Sequence, residues 1–298
     1  EDSVAYVENM ELTLAAPGLH TVQVTCSNGV SADAVHEVQV WDGEFDKGHY
    51  AMLDAANNLV AIDGSVNFAS AAAFTVDLDK LVPLKEISGG FELSNSTSIE
   101  RLDVDDGIQS IQRIGGAVRF ASTSLKEIVF PALVSVQGGG IEVATNAALT
   151  SVTMNQLVSV QGGGISLDSN GALTQASFTR IETVSGSFVF TQNGDVNGSS
   201  ITLETEVLRV IGENLNISNN SGLSTIKLDL LDEVVGDFNV SNNEKLSTLA
   251  GGSLTIVNGA LQIITNGLLE CSEINNFIAL VTTGPDSSLI ANNAAVCN

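Results

Sequence analysis

Asp103-Val-Asp-Asp106, followed by Gly107, opens in the manner of a calcium loop, with carboxylates one residue apart and a glycine to turn the chain. The glutamate that closes such a loop is missing at the required distance. The run therefore reads as a solvated acidic loop, with a weak calcium site at Asp103, Asp105 and Asp106 as its alternative. Asp229, Asp232 and Glu233 form a looser acidic group of the same kind. His20, His36 and His49 all lie near the N-terminus, with no serine or cysteine nucleophile motif beside them. Gly138-Gly-Gly140 and Gly162-Gly-Gly164 have the glycine density of a phosphate cradle. No lysine follows them and no helix signal begins there, so they read as corner glycines. Cys26, Cys271 and Cys297 make no Cys-x-x-Cys or Cys/His cluster, which argues against structural zinc. No cofactor and no catalytic residue emerges, and the expectation is a protein that is not an enzyme.

The elements that would position any site are set by a repeat. Leu133-Val-Ser-Val-Gln-Gly-Gly-Gly-Ile recurs as Leu157-Val-Ser-Val-Gln-Gly-Gly-Gly-Ile, 24 residues later. A period of that length marks a solenoid. The first apolar residue of each Leu-x-Ile step serves as an index: Val66, Phe91, Val118, Ile141, Ile165, Phe188, Leu215, Phe238 and Leu261. A second apolar residue stands two places on, which gives a short strand with both side chains inward. Glycine stands two places before the index in all coils but the seventh, where Gly212 is one place earlier. It fits a corner needing positive φ or close approach. Asparagine stands five places after the index in six coils, from Asn146 to Asn266, and predicts an internal amide ladder. One coil alone cannot bury its apolar residues, but nine stacked coils make one continuous core. The spacing predicts an all-β, right-handed β-solenoid of about nine coils of roughly 24 residues.

The outward residues of the index strands then form a level face. One column holds Glu92, Arg119, Glu142, Ser166, Asn216 and Asn239, and its neighbour is mostly small, with Gly90, Ala117, Gly140 and Gly164. This face is the candidate binding surface. The regular threonine array of an ice-binding plane is missing from it. Asn-x-Ser/Thr sequons occur at Asn95, Asn197, Asn216, Asn219 and Asn239, and they matter for glycosylation if the source is eukaryotic.

Residues 1–45 differ from the rest. Pro17-Gly-Leu-His-Thr-Val-Gln-Val-Thr-Cys26 alternates apolar and polar, Ser27-Asn-Gly29 supplies a turn, and Ala34 to Trp41 alternates again. That is a β-hairpin signature. Residues 42–58 read as the connection, 46–270 as the solenoid and 271–298 as a C-terminal cap. Within that cap, residues 272–281 could form a short helix.

Composition agrees with this plan. The chain has 298 residues, 44% of them hydrophobic but only 5% aromatic, so aliphatic side chains must fill the core. With 28 glycines against four prolines, short strands and tight turns are favoured over a disordered linker. The net charge of −24 repels nucleic acid and anionic membranes, which removes both as partners. No apolar run approaches the roughly 18 residues of a membrane span, so no membrane insertion is expected. Glu1 in place of Met suggests a mature or trimmed chain.

The coil pattern Gly-x-Leu-x-Ile-x-x-Asn-x-x-Leu resembles the receptor L-domain family of β-helical, leucine-rich-repeat-like ectodomains. It is closest to repeats in fungal cell-wall proteins and secreted bacterial proteins, and the resemblance runs from about Leu59 to Asn298. It departs from the pattern at Ala71, Ser96 and Thr123, which stand where the asparagine belongs, and the receptors' cysteine-rich modules are absent. The hairpin resembles the last two strands of a PKD-type immunoglobulin-like module, with His20 where an aromatic is usual. The family resemblance implies an extracellular or cell-surface protein with no catalytic residues to carry over. It also implies a capping disulfide between Cys271 and Cys297, leaving Cys26 as a small hydrophobe. The resulting expectation is a recognition or adhesion module for a cell-surface glycan or protein. A carbohydrate-active β-helix enzyme and a purely structural wall or spacer element are the alternatives.

Overall fold

The computed structural model describes residues 16–26, 34–54, 57–69, 78–96, 101–102, 108–194, 200–279, 281–282 and 287–294. The fold is a β-solenoid of three sheets, two of which run the length of the stack. Strands β1 (Gly18–Cys26) and β2 (Ala34–Asp42) pair antiparallel along their whole length, with Gly18 opposite Asp42 and Cys26 opposite Ala34. The C-terminal end of β2 then pairs in parallel with Leu59–Asp63. The hairpin is thus fused to the edge of one solenoid sheet, and this eleven-stranded sheet is here termed the hairpin sheet. Among the described residues every later strand pair is parallel, as expected when each coil returns over the one before.

The broad sheet, also eleven-stranded, carries the index strands. Phe91, Val118, Ile141, Ile165, Phe188, Leu215, Phe238 and Leu261 stand directly opposite one another in unbroken register. The stack passes the expected 46–270 boundary at both ends. Phe45 pairs with Val66 ahead of the first indexed coil, and Ser288 pairs with Leu261 after the ninth. The stretch expected as a plain connection therefore holds a short strand, Phe45–Asp46, and helix α1 (Lys47–Met52). A third, seven-stranded sheet runs from Arg101–Leu102 to Thr248–Ala250.

One core runs from Trp41 to Phe277. Phenylalanines stack at its N-terminal end, with Phe68, Phe91 and Phe120 on successive coils at centroid spacings of 6.3 and 5.7 Å. The far end is closed by helix α2 (Cys271–Ile278), which buries Ile274 and Phe277 and sets the Phe277 ring 5.1 Å from Phe238. Gly251 makes room for that ring: a Cβ there would lie 2.4 Å from Phe277 Cε2. Cys271, the first residue of α2, is disulfide-bonded. Cys297 and the acidic run Asp103–Asp106 lie outside the described residues, as do Ala71 and Asn197.

The asparagine column is a continuous ladder, fully buried from Asn146 to Asn266 except for a trace at Asn193. Each Oδ1 accepts the backbone N–H of the preceding rung, as in Asn146 N–H to Asn170 (3.1 Å) and Asn193 N–H to Asn220 (3.0 Å). Each Nδ2 donates to a carbonyl of the preceding coil, as Asn170 does to Val143 at 2.9 Å. Nδ2 of Asn146 also donates to Asn170 Oδ1, and Asn220 does the same to Asn243. Every amide thus satisfies buried backbone groups that would otherwise be orphaned. The ladder is longer than the repeat pattern shows. Thr123 enters it through N–H and Oγ1–H bonds to Asn146 Oδ1, and Asn293 extends it by accepting from Asn266. Ser96 does not continue it: its hydroxyl is buried and unpartnered.

The residue just before each rung is left-handed. Asn95, Ser122, Thr145, Ser169, Gln192, Asn219, Asn242, Thr265 and Asn292 all have φ between 51° and 59°. This turns the chain sharply from the strand so that the next side chain points inward. Threonine is poorly suited there because its branched Cβ crowds the backbone. Thr145→Asn is expected to raise unfolding stability by about 1 kcal/mol, read as a higher urea midpoint at unchanged slope. No gain would mean that the local backbone relaxes in the variant.

The glycines two places before the index serve close approach. Among them only Gly64 has positive φ, whereas a Cβ at Gly163 would lie 2.4 Å from Gly140 N and one at Gly186 would lie 2.6 Å from the Gly163 carbonyl carbon. The coils touch backbone to backbone at this corner, which replaces the φ > 0 alternative of the sequence reading.

Helix α1 is fixed by a capping box. Asp46 accepts N–H bonds from Gly48 (2.8 Å) and His49 (3.0 Å), and the Asp46 N–H donates to His49 Nδ1. The backbone N–H of His49, helped by that of Gly48, holds the Asp46 carboxyl below its ordinary value despite partial desolvation. Its stabilising contribution is therefore complete above the unfolded value of about 3.9 and is lost as pH falls through the lower folded value. Asp46→Ala should cost about 1 kcal/mol at pH 7, with the difference from wild type narrowing in paired denaturant titrations as pH falls through the lowered folded value.

Candidate binding face

The outward side of the broad sheet is level because its register is unbroken and its coils are about 4.8 Å apart. The column one place after the index runs Asn67, Glu92, Arg119, Glu142, Ser166, Val189, Asn216, Asn239 and Gln262, each directly opposite the next. Asp46 extends it at one end and the half-exposed Leu289 at the other. The sequence reading missed both because their coils lack an apolar index pattern. All six predicted face residues, Glu92, Arg119, Glu142, Ser166, Asn216 and Asn239, lie in this one column.

The column changes character along its length. Arg119 Nη1 meets Glu92 Oε1 at 3.0 Å and Arg119 Nε meets Glu142 Oε2 at 3.1 Å, so one cation bridges the coils on either side. The bonds from Glu142 and then Glu92 raise the already high guanidinium pKa, so Arg119 is charged at any working pH. The three side chains are 34–47% exposed, and each ion pair is worth about 0–1 kcal/mol. Glu92 also accepts from Ser94 Oγ at 2.8 Å.

Beyond Val189 the column is neutral. Asn239 Nδ2 donates to Asn216 Oδ1 at 2.9 Å, while Asn239 Oδ1 is shielded from solvent and accepts no hydrogen bond. An acceptor left in that state costs about 1–3 kcal/mol. In the neighbouring column, Asn214 Oδ1 accepts the Asp237 N–H and Asp237 Oδ1 accepts the Ala260 N–H, both at 2.7 Å. Those two side chains serve the backbone of the next coil.

Two of the three histidines have structural roles, and the side chain of His36 lies outside the described residues. His49 caps α1 and lies 4.5 Å from the Trp41 ring, and His20 is bonded to the Ala16 carbonyl. Asp232 pairs loosely with Arg209 at 3.7 Å. Among the described residues no group of three or more His, Cys, Asp or Glu side chains could hold a metal, and no helix is long and apolar enough to cross a membrane. A cleft of about 170 Å³ lies at the Asp46 end of the face, lined by Glu44, Lys47, Asn67 and Phe68 among others. It is well below the roughly 300–1,000 Å³ of a pocket that encloses a small ligand.

The sequons divide by position. Asn95 and Asn219 sit on the exposed left-handed corner, whereas Asn216 and Asn239 lie within strands, bonded to each other. A glycan on Asn239 Nδ2 would project from the middle of the face and strain that bond.

No protein-family model matches the chain, and neither a curated protein nor a solved structure gives a match.

Proposed function

We propose that this protein is a non-enzymatic recognition or adhesion module, secreted or displayed at a cell surface, that binds a glycan or protein partner through the broad sheet. The observation that carries this reading is the in-register outward column of an eleven-stranded sheet, eight strands of which are tied together by the amide ladder from Thr123 to Asn293. A flat, rigid array with one side chain per coil suits an extended ligand and gives little enclosure for a reacting group. The resemblance to receptor L-domain repeats supports the same reading. The extracellular setting is supported by the disulfide at Cys271, for which Cys297 is the proposed partner. Non-reducing peptide mapping should return a peptide joining residues 271 and 297.

A carbohydrate-active enzyme is the second reading, and Glu92–Arg119–Glu142 is the observation that favours it. It places two carboxylates on alternate coils around a cation, and glycoside hydrolysis uses paired carboxylates. Here both are committed to Arg119 on an open face. The deciding experiment is a glycan-array screen of the purified chain with and without calcium, followed by product analysis on each hit. Saturable binding without product supports recognition, and cleavage would establish the enzyme. Calcium dependence would bring Asp103, Asp105 and Asp106 back into play, and a silent array favours a protein partner or a structural spacer.

A further inference from the structure

We infer that the half of the face from the seventh to the ninth indexed coil, whose central column is uncharged, is the ligand contact, and that its ligand is an uncharged, hydroxyl-rich extended polysaccharide. This rests on the recognition reading above and narrows it to a region and a chemical class. Asn216, Asn239 and Gln262 stand opposite one another on successive strands. Beside them, the left-handed corner exposes Asn219, Asn242 and Thr265. These two columns contain no charged side chain over the three coils; the carboxylate of Asp237 lies in the column on the other side, where one oxygen accepts the Ala260 N–H. Amide and hydroxyl groups offer donors and acceptors together, which complements a polyol, whose every hydroxyl does both.

Two further observations point to the same half. Glu92, Arg119 and Glu142 already satisfy one another, so a ligand lying there must break ion pairs to make contacts. Asn239 Oδ1, by contrast, accepts nothing, and a turn of the amide about its last torsion, exchanging the one neutral bond to Asn216 for bonds to a ligand, would present it to a ligand hydroxyl. Charge selects the class of polymer. A chain of net charge −24 repels acidic polysaccharides, while a neutral one meets no such barrier. One amide per coil, repeated about every 4.8 Å along the stack, favours a polymer lying along the solenoid axis over a single sugar.

The test is sedimentation binding of the whole chain to insoluble β-glucan, mannan and chitin, with polygalacturonate as the acidic comparison, at low and at 0.5 M salt. Wild type should bind at least one neutral polymer saturably, with affinity nearly independent of salt and no binding to polygalacturonate. Asn216→Ala with Asn239→Ala should weaken binding at least tenfold, and Gln262→Ala should weaken it separately. Glu92→Gln with Glu142→Gln should leave it within about twofold. Circular dichroism melts on each variant separate lost contacts from lost fold, and Gln262→Ala removes no hydrogen bond of the ladder. Neutral-polymer binding that survives the asparagine changes, or that is lost with the glutamate changes, overturns the inference and leaves the recognition reading standing. Binding to polygalacturonate alone also overturns it. Failure to bind any of the polymers overturns it too, and the glycan array then decides whether the wider reading survives.

Discussion

Asn170→Asp should destabilise the protein by about 4 kcal/mol, a large effect for an isosteric change. Asn170 Nδ2 now donates to the Val143 carbonyl at 2.9 Å and to Asn193 Oδ1 at 3.1 Å. A carboxylate sets a buried negative oxygen against both acceptors, with no water to screen it. Oδ1 would keep its role towards Asn146, so the loss isolates the donor side of the rung. Burial and the facing carbonyls raise the new carboxyl's folded pKa. The deficit should therefore be smallest below the unfolded value of about 3.9 and should grow as pH rises, until the raised folded value is passed. Urea titrations at several pH values measure this directly. A pH-independent loss would mean that the coil opens enough to hydrate the carboxylate.

Gly163→Ala is expected to cost about 3 kcal/mol, at the upper end of what one added methyl does in a packed interior. The new Cβ would fall within 2.8 Å of three backbone atoms of the preceding coil, and backbone cannot rotate out of the way as a side chain can. Gly252→Ala is the matched control, since its nearest neighbour is the Asp229 carbonyl oxygen at 3.3 Å. Comparing the two removes the general effect of exchanging glycine for alanine. Equal urea midpoints for the two variants would show that the coils can slide apart at this corner at little cost.

The parts of the fold that could be read from residues alone are those where one side chain has one job. Inward apolar pairs such as Ile141 and Val143, the asparagine of each rung and the outward column from Glu92 to Asn239 all follow from a two-residue strand alternation repeated each coil. The ends were harder because capping coils trade away the pattern. Ser288 stands where an apolar index belongs, so Asn293 was not recognised as a rung, and Phe45–Asp46 is too short to declare itself. The left-handed corner was also missed. Asparagine occupies it at Asn95, Asn219, Asn242 and Asn292, but serine, threonine or glutamine stands at the others. The candidate face, two neighbouring outward columns, was legible from the strand alternation. The sequence could not show that Arg119 joins Glu92 to Glu142, or that Asn239 keeps a free acceptor, because both depend on side-chain torsions.

The buried ladder also governs how the protein ages. Asn170, Asn193 and Asn266 are each followed by glycine, the neighbour that least hinders attack of the next backbone nitrogen on the side-chain carbonyl carbon. That cyclisation expels ammonia and leaves a succinimide, which water then opens to aspartate or its β-linked isomer. In the folded stack these amides are held on both sides and removed from water. Once the stack opens, the same three positions become the most chemically labile in the column. Each lost amide places a carboxylate where the fold requires a donor. A chain kept unfolded at neutral pH should therefore lose the capacity to refold progressively with time, so that its lifetime is set by how rarely it opens as much as by how stable it is.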